Sequence, residues 1–149
     1  YKQVKEVIIC ETLEEAVRGS DIISESVSVK PGQYPTYKKE WLKPGVTLIA
    51  TSFFNMDKKE LVGIRKVVDN WKMYEEYGIE DEEGYDENGM RKATGCMGEE
   101  FYYMVEDGLI TRDSIDHLGE IIRGKKPGRK SDDEIIFVAI LYSLPYFCM

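Results

Sequence analysis

The chain has 149 residues, 42% of them hydrophobic and 11% aromatic, and a formal net charge of -8; a chain of this kind buries roughly two thirds of its unfolded surface in one domain. That acidity repels phosphate backbones and argues against nucleic-acid binding, since the one basic cluster, Lys125, Lys126, Arg129 and Lys130, is followed at once by Asp132, Asp133 and Glu134. No apolar run approaches the roughly 20 residues that span a bilayer, and Cys10, Cys96 and Cys148 are too scattered for a zinc site or a disulfide framework, which reads as free thiols in a reducing cytoplasm.

In chain order, "VKEVIIC" at 4–10 is a β-branched run and predicts a short strand. The opening residues lack the long apolar core and small-residue cleavage site of a signal peptide. "TLEE" then supplies a capping box, in which Thr12 accepts the amide of Glu15 while Glu15 reaches back. The brief helix it starts carries Leu13, Ala16 and Val17 on one side and stops before Gly19. "SDIISESVSV" predicts a buried strand from Asp21 to about Ser24 that passes into a polar loop. "KPGQYPTY" is a loop by its two prolines and glycine, and "KKEWLKPG" is one helical turn stopped by Pro44 and Gly45. "VTLIA" at 46–50 is a compact strand ending in Thr51 and Ser52, and "KVVDN" at 66–70 is another. Short apolar strands separated by helical turns predict an α/β fold with a parallel sheet and crossovers.

Between Glu75 and Glu87 the composition turns acidic and reads as a solvated loop or insertion, without the ligand spacing of a calcium loop. "GEEFYYMVEDG" at 98–108 predicts a helix with Phe101, Met104 and Val105 on one face. "ITRDSIDHLGEIIRG" predicts another, with Ile115, Leu118, Ile121 and Ile122 as its apolar stripe and Gly124 as its stop. His117 then reads as a solvated helix residue. Pro127 and Gly128 turn the chain, and Ser131 with Glu134 forms a second capping box that predicts a last helix running through "IIFVAILY" until Pro145. A helix apolar all round demands burial on every side. Arg129, between the two helix ends, reads as structural, and Trp41 and Trp71 as packed against the sheet.

Four stretches, "TLEEAVRGSDIISES", "EWLKPGVTLIATS", "KVVDNWKMY" and "LGEIIRGKKPGRKSDDEI", resemble the ornithine cyclodeaminase/mu-crystallin family in the same order over residues 12–135. The resemblance implies a Rossmann domain that binds NAD or NADP and a second domain for dimerisation and substrate. The chain is therefore expected to be the second half of a Rossmann-type parallel sheet followed by C-terminal helices. Residues 1–72 would be a partial NAD(P)-binding domain, 73–108 an acidic insertion and helix, and 109–149 helices returning toward the dimerisation and substrate domain. The implied function is part of an NAD(P)-dependent oxidoreductase acting, as a homodimer, on a small amino acid or its imine or keto acid. The alternative is a non-catalytic, mu-crystallin-like nucleotide or small-ligand binding protein. No G-x-G-x-x-G occurs in the chain, so the diphosphate fingerprint, the residue that separates NAD from NADP and the grip on a substrate carboxylate are expected upstream of Tyr1. Without them the 149 residues alone are expected to be inactive and to bind no dinucleotide.

The ends of parallel strands are where such a sheet takes ligands. Ser26 and Val27 resemble family residues that lie along the cofactor, and Thr51 and Ser52 would approach the nicotinamide ribose. In the cyclodeaminases an Asp follows this second strand as acid or base; the corresponding residue here is Phe54, which moves no proton. Asp57, three residues on, is the catalytic candidate if the loop is remodelled. No metal site is expected. Beyond Phe137 the resemblance ends, with Ile140, Leu141 and Tyr142 where the family carries small residues near the nicotinamide.

Overall fold

The computed structural model describes residues 3–27, 29, 33–80 and 95–141. Its elements in chain order are α1 (Leu13–Val17), β1 (Ile22–Glu25), a 3-10 turn (Lys39–Trp41), β2 (Thr47–Ala50), α2 (Lys58–Val62), β3 (Arg65–Val68), α3 (Trp71–Glu80), α4 (Met97–Glu106), a second 3-10 turn (Arg112–Ser114), β4 (Ile115–His117), α5 (Leu118–Ile122) and β5 (Ile136–Ala139). The described strands make one sheet in the order β1-β2-β5-β3-β4, and every pairing is parallel. This is the Rossmann-type parallel sheet expected from the sequence.

Four expectations about its parts are corrected. The terminal segment is not a helix: residues 136–139 form the central strand, between β2 and β3. A short apolar run does not by itself distinguish a strand from a buried helix segment. Within β5, Phe137 and Ala139 turn into the core, and Ile136 and Val138 are half-buried. The capping-box letters Ser131 and Glu134 close a turn instead, with the Glu134 amide donating to Ser131 O at 3.1 Å and the Glu134 carboxylate accepting from the Lys130 amide at 2.7 Å.

The second correction concerns "ITRDSIDHLGEII". Its apparent stripe is shared by an edge strand and a five-residue helix; Ile115 is buried in β4, whereas Ile122 of α5 is 77% exposed. His117 accordingly ends a strand and does not sit within a helix. Third, residues 4–10 join no strand, and Ile9 is 93% exposed. Of the acidic stretch, residues 75–80 continue α3 and are not a loop, while 81–94 lie outside the described residues.

The remaining elements follow their local signals. Thr12 caps α1 by accepting the Glu15 amide at 3.2 Å, and Glu15 reaches back to the Glu11 amide at 3.0 Å. Alternate strand residues turn to one covered face, where Ile23, Leu48, Phe137, Lys66 and Ile115 stand side by side in register. Onto this face pack α2, the α3–α4 pair and the loop around Tyr37, forming a core that holds Phe54, Leu61, Tyr74, Met97 and Phe101. The α3–α4 approach is close enough that a Cβ on Gly98 would lie 2.2 Å from the Tyr74 ring. Trp71 is buried beneath the Arg112 guanidinium, 4.5 Å from its ring centre, and Trp41 packs half-buried against the core.

Lys66 is a charged residue in the apolar row. Its Nζ donates to Leu61 O at 2.7 Å, Ile64 O at 2.8 Å and Val62 O at 3.3 Å, which satisfies the carbonyls at the end of α2. Burial pushes its pKa down to about 8. At the amino-terminal edge of the sheet, Arg65 forms a two-point contact with Asp116 Oδ2 (2.9 and 2.8 Å) and also meets Glu134 at 3.2 Å and Pro127 O at 2.7 Å. That network ties β3, β4 and the approach to β5 together.

Candidate functional site

Because all the strands run the same way, their carboxyl ends emerge along one edge, where a doubly wound sheet binds ligands. Ser26 and Val27 follow β1, and Thr51 and Ser52 follow β2, which is its direct neighbour with Glu25 opposite Ala50. The structure brings all four together. The Thr51 amide donates to Glu25 O at 3.1 Å, and Thr51 Oγ1 lies within hydrogen-bond distance of Glu25 O (3.3 Å), which can only accept, and of Ser26 Oγ (3.1 Å). Ser26 is exposed, while Val27, Thr51 and Ser52 are half-buried, so the hydroxyls sit at the protein–solvent boundary where a ligand would reach them.

Under this cluster lies Glu25, only 2% exposed. Its Oε1 accepts the Val27 amide at 2.9 Å and its Oε2 accepts the Ser52 hydroxyl in a short hydrogen bond. Sequence reasoning passed over it as one letter of a polar strand end. The signal was available: in "IISE" the inward positions alternate, and Glu25 falls on the same face as Ile23.

Aromatic residues follow the second strand end. Residues 34–37 run beside 53–55, with the Tyr37 amide donating to Asn55 O at 2.8 Å and Asn55 Nδ2 donating to Thr36 Oγ1 at 2.8 Å. Tyr34 meets Phe53 edge-on at 5.3 Å between ring centres, and Tyr37 stacks on Phe54 at 3.6 Å. Phe54 is fully buried and also meets Phe137 at 5.2 Å, so its position belongs to the core. Asp57, the candidate acid, is exposed and caps α2, accepting the Lys59 amide at 2.8 Å. No hydrogen bond joins it to the strand-end cluster among the described residues, and the loop is not remodelled to bring it there.

The neighbouring strand ends are closed by Asp69, which follows β3. Its Oδ2 accepts the Leu141 amide at 3.2 Å, and its Oδ1 accepts the Asn70 amide at 2.8 Å and the Tyr74 hydroxyl at 2.7 Å. Burial, then the hydrogen bond and charge of Asp69, push the Tyr74 pKa far up. Ile140 and Leu141, half-buried, occupy the edge beyond β5; Tyr142 lies outside the described residues.

The other residues singled out have structural work. His117 Nε2 accepts the Trp71 amide at 3.4 Å at the end of β4. Arg129 donates to Thr47 Oγ1 at 2.8 Å and, in a short contact, to Glu134 O. An open groove of about 420 Å³ runs beside β4, lined by Arg112, Asp113, Ile115, His117, Glu120 and Lys126. Its cations are engaged, Arg112 with Ile115 O and the Trp71 ring and Lys126 with Asp116. Cys96 is buried and its pKa is pushed up to about 11, chiefly by burial. No group of metal-ligating side chains and no helix long and apolar enough to cross a membrane occur among the described residues.

The sequence profile of the ornithine cyclodeaminase/mu-crystallin family matches residues 2–141. No curated protein matches the chain. Among solved structures, the chain is similar to an archaeal alanine dehydrogenase dimer with bound NAD, at 24% identity and a TM-score of 0.59 over 88% of this chain and 35% of that one. It is also similar to the Thermococcus litoralis Δ1-pyrroline-2-carboxylate reductase in complex with NADH and L-proline, at 19% identity and a TM-score of 0.59 over 89% of this chain and 36% of that one. The iminosuccinate reductase of Paracoccus denitrificans in complex with NAD+ matches at 18% identity and a TM-score of 0.57, over 88% of this chain and 34% of that one. The chain thus spans about a third of the length of each structure it matches. At these identities the likeness shows the fold.

Proposed function

The chain belongs to the ornithine cyclodeaminase/mu-crystallin family, and from that membership we propose that it forms part of a nicotinamide-dinucleotide-dependent oxidoreductase acting on a small amino acid or its imine or keto acid. The observation that carries the reading is the convergence of Ser26, Val27, Thr51 and Ser52 on the carboxyl ends of two adjacent parallel strands. Further support comes from similar folds that hold NAD, NADH or NAD+.

The donor set fits one part of the cofactor. Hydroxyls of Ser26, Thr51 and Ser52 suit the ribose and carboxamide of a nicotinamide riboside, which offer donors and acceptors without charge. A diphosphate needs a glycine-rich strand-to-helix turn, and the chain carries no G-x-G-x-x-G. In this reading Thr51 and Ser26 hold the ribose, Ser52 fixes the end of β2, and the Tyr34–Phe53 pair keeps water from one side. The nicotinamide, when bound, supplies or takes up the hydride. Phe54 offers no proton, so hydride transfer between an amine and its imine suits the site better than a cyclisation that needs an acid at that position. Assembly as a homodimer, as in the alanine dehydrogenase dimer, is part of the same proposal.

The test is a steady-state assay of the full-length protein with NADH and with NADPH, against 2-keto acids in the presence of ammonia and against cyclic imines. Imine-dependent oxidation of either nucleotide is expected. Absence of both turnover and nucleotide binding would overturn the reading.

A further inference from the structure

Four charged residues are buried among the described residues: Glu25, Lys66, Glu100 and Asp116. Three have a compensating partner. Lys66 donates to carbonyls at the end of α2 and in the turn after it, Asp116 pairs with Arg65 and Lys126, and Glu100 pairs with Lys58 at 2.8 Å. Glu25 is different: no lysine, arginine or histidine among the described residues lies within ion-pairing distance of it. Both of its oxygens are engaged, one accepting the Val27 amide and one meeting the Ser52 hydroxyl in a short hydrogen bond. Its charge is felt nearby, since the Tyr37 pKa is pushed up to about 12 by burial first and by Glu25 second. A buried anion without a cation is an unfavourable arrangement, and a cation brought next to it relieves that cost.

We propose that Glu25 is a positioning residue with a second effect: its carboxylate ties the loop after β1 to the loop after β2, and its charge, without a cation partner among the described residues, biases this edge toward the oxidised, cationic form of a nicotinamide ring over the reduced, neutral form. The inference rests on the reading that the β1–β2 edge takes the nicotinamide riboside. The tie alone would hold both redox forms equally. The charge separates them, because only the oxidised ring carries a positive charge to offset it.

The experiment measures dissociation constants of NAD+ and NADH for the full-length wild type and for Glu25→Gln, Glu25→Asp and Ser52→Ala, with thermal unfolding as a check on folding. Glu25→Gln keeps the shape and one acceptor and removes the charge; the ratio of the NAD+ constant to the NADH constant is expected to rise on the order of 5-fold. Ser52→Ala, which removes one hydrogen bond of the tie, is expected to weaken both forms alike. Glu25→Asp retains the charge on a shorter stem and is expected to keep the wild-type ratio; it decides the matter if the glutamine variant does not fold. An unchanged ratio in Glu25→Gln, or a ratio in Glu25→Asp that moves as far as removal of the charge requires, overturns the inference and leaves the proposed function standing. A wild-type protein that binds neither nucleotide overturns both.

Discussion

Replacing Phe54 by Asp would give this chain the acid that its family resemblance leads one to expect after β2, and the structure predicts that the change removes stability without restoring chemistry. Phe54 is 0% exposed, stacked on Tyr37 at 3.6 Å and edge-on to Phe137 at 5.2 Å. Loss of a buried phenylalanine ring costs about 3–5 kcal/mol. The incoming carboxylate adds a further penalty of about 1–3 kcal/mol, because it must either stay charged in an apolar setting or take up a proton to escape it. Against a typical domain stability of about 5–15 kcal/mol, that is most of what holds the fold. Phe54→Leu keeps the site apolar and gives up mainly the ring contacts, at about 2 kcal/mol. Urea unfolding followed by far-UV circular dichroism distinguishes them. With a slope of about 2 kcal/mol/M, the leucine variant shifts the midpoint down by about 1 M, and the aspartate variant by at least about 2 M or to no cooperative transition. A Phe54→Asp protein with wild-type stability would refute the assignment of this position to the core, the more so if it gained turnover.

Four further outcomes follow from individual contacts. Lys66, with its folded pKa lowered to about 8 from the ordinary 10.5, binds its proton more weakly in the folded state. Its contribution to stability is therefore fully present above the ordinary value and is lost as pH falls through about 8; Lys66→Met should destabilise more at pH 9.5 than at pH 7, as read by chemical denaturation at the two pH values. Burial pushes the Asp116 pKa up, but the hydrogen bonds and charges of Arg65 and Lys126 outweigh it and hold the carboxyl below its ordinary range. That stability is present at neutral pH and lost as pH falls through the lowered value, so Asp116→Asn should cost about 3 kcal/mol at pH 7 and flatten the acid limb of the stability curve; an unchanged acid limb counts against the network. Gly45 has φ +80 and a Cβ there would sit 2.1 Å from Asp132 O, so Gly45→Ala should lower the urea midpoint by more than the roughly 1 kcal/mol of an ordinary glycine replacement. Thr51→Val removes the hydroxyl that reaches Ser26 and should weaken nucleotide binding about 10-fold with little change in melting temperature; unchanged binding in a fluorescence titration contradicts a ribose role for Thr51.

The elements legible in the sequence were those whose local signals and burial agree. Thr12 and Glu15 announce α1, Pro44 and Gly45 stop the turn before β2, and "VTLIA" and "KVVD" are short, β-branched runs of the kind strands favour. Misreadings came where a local pattern is ambiguous and the sheet decides. Residues 136–139 are apolar at every position although only Phe137 and Ala139 are buried, so no period can be read, and Ser131 with Glu134 imitates a helix start. Ile115 and Leu118 are three residues apart, as on a helix, yet the first packs within a strand. The run at 4–10 has strand composition but no neighbour in the sheet among the described residues. At the site, family resemblance pointed to the strand-end hydroxyls, and the parallel sheet puts them side by side. It could not point to Glu25, which is buried with no cation within ion-pairing distance among the described residues. Nor could spacing alone tell that Phe54 faces the core and that Asp57 is engaged as a helix cap.

Hydrogen exchange of the full-length protein, with and without saturating NADH, tests the central claim most directly, because it reports where the nucleotide lies before any chemistry is assumed. The account predicts slowed exchange at the amides of residues 25–27 and 50–53, with little change along the β4 groove lined by Arg112, His117 and Lys126. Protection at that groove, with the β1 and β2 strand ends unchanged, would contradict it.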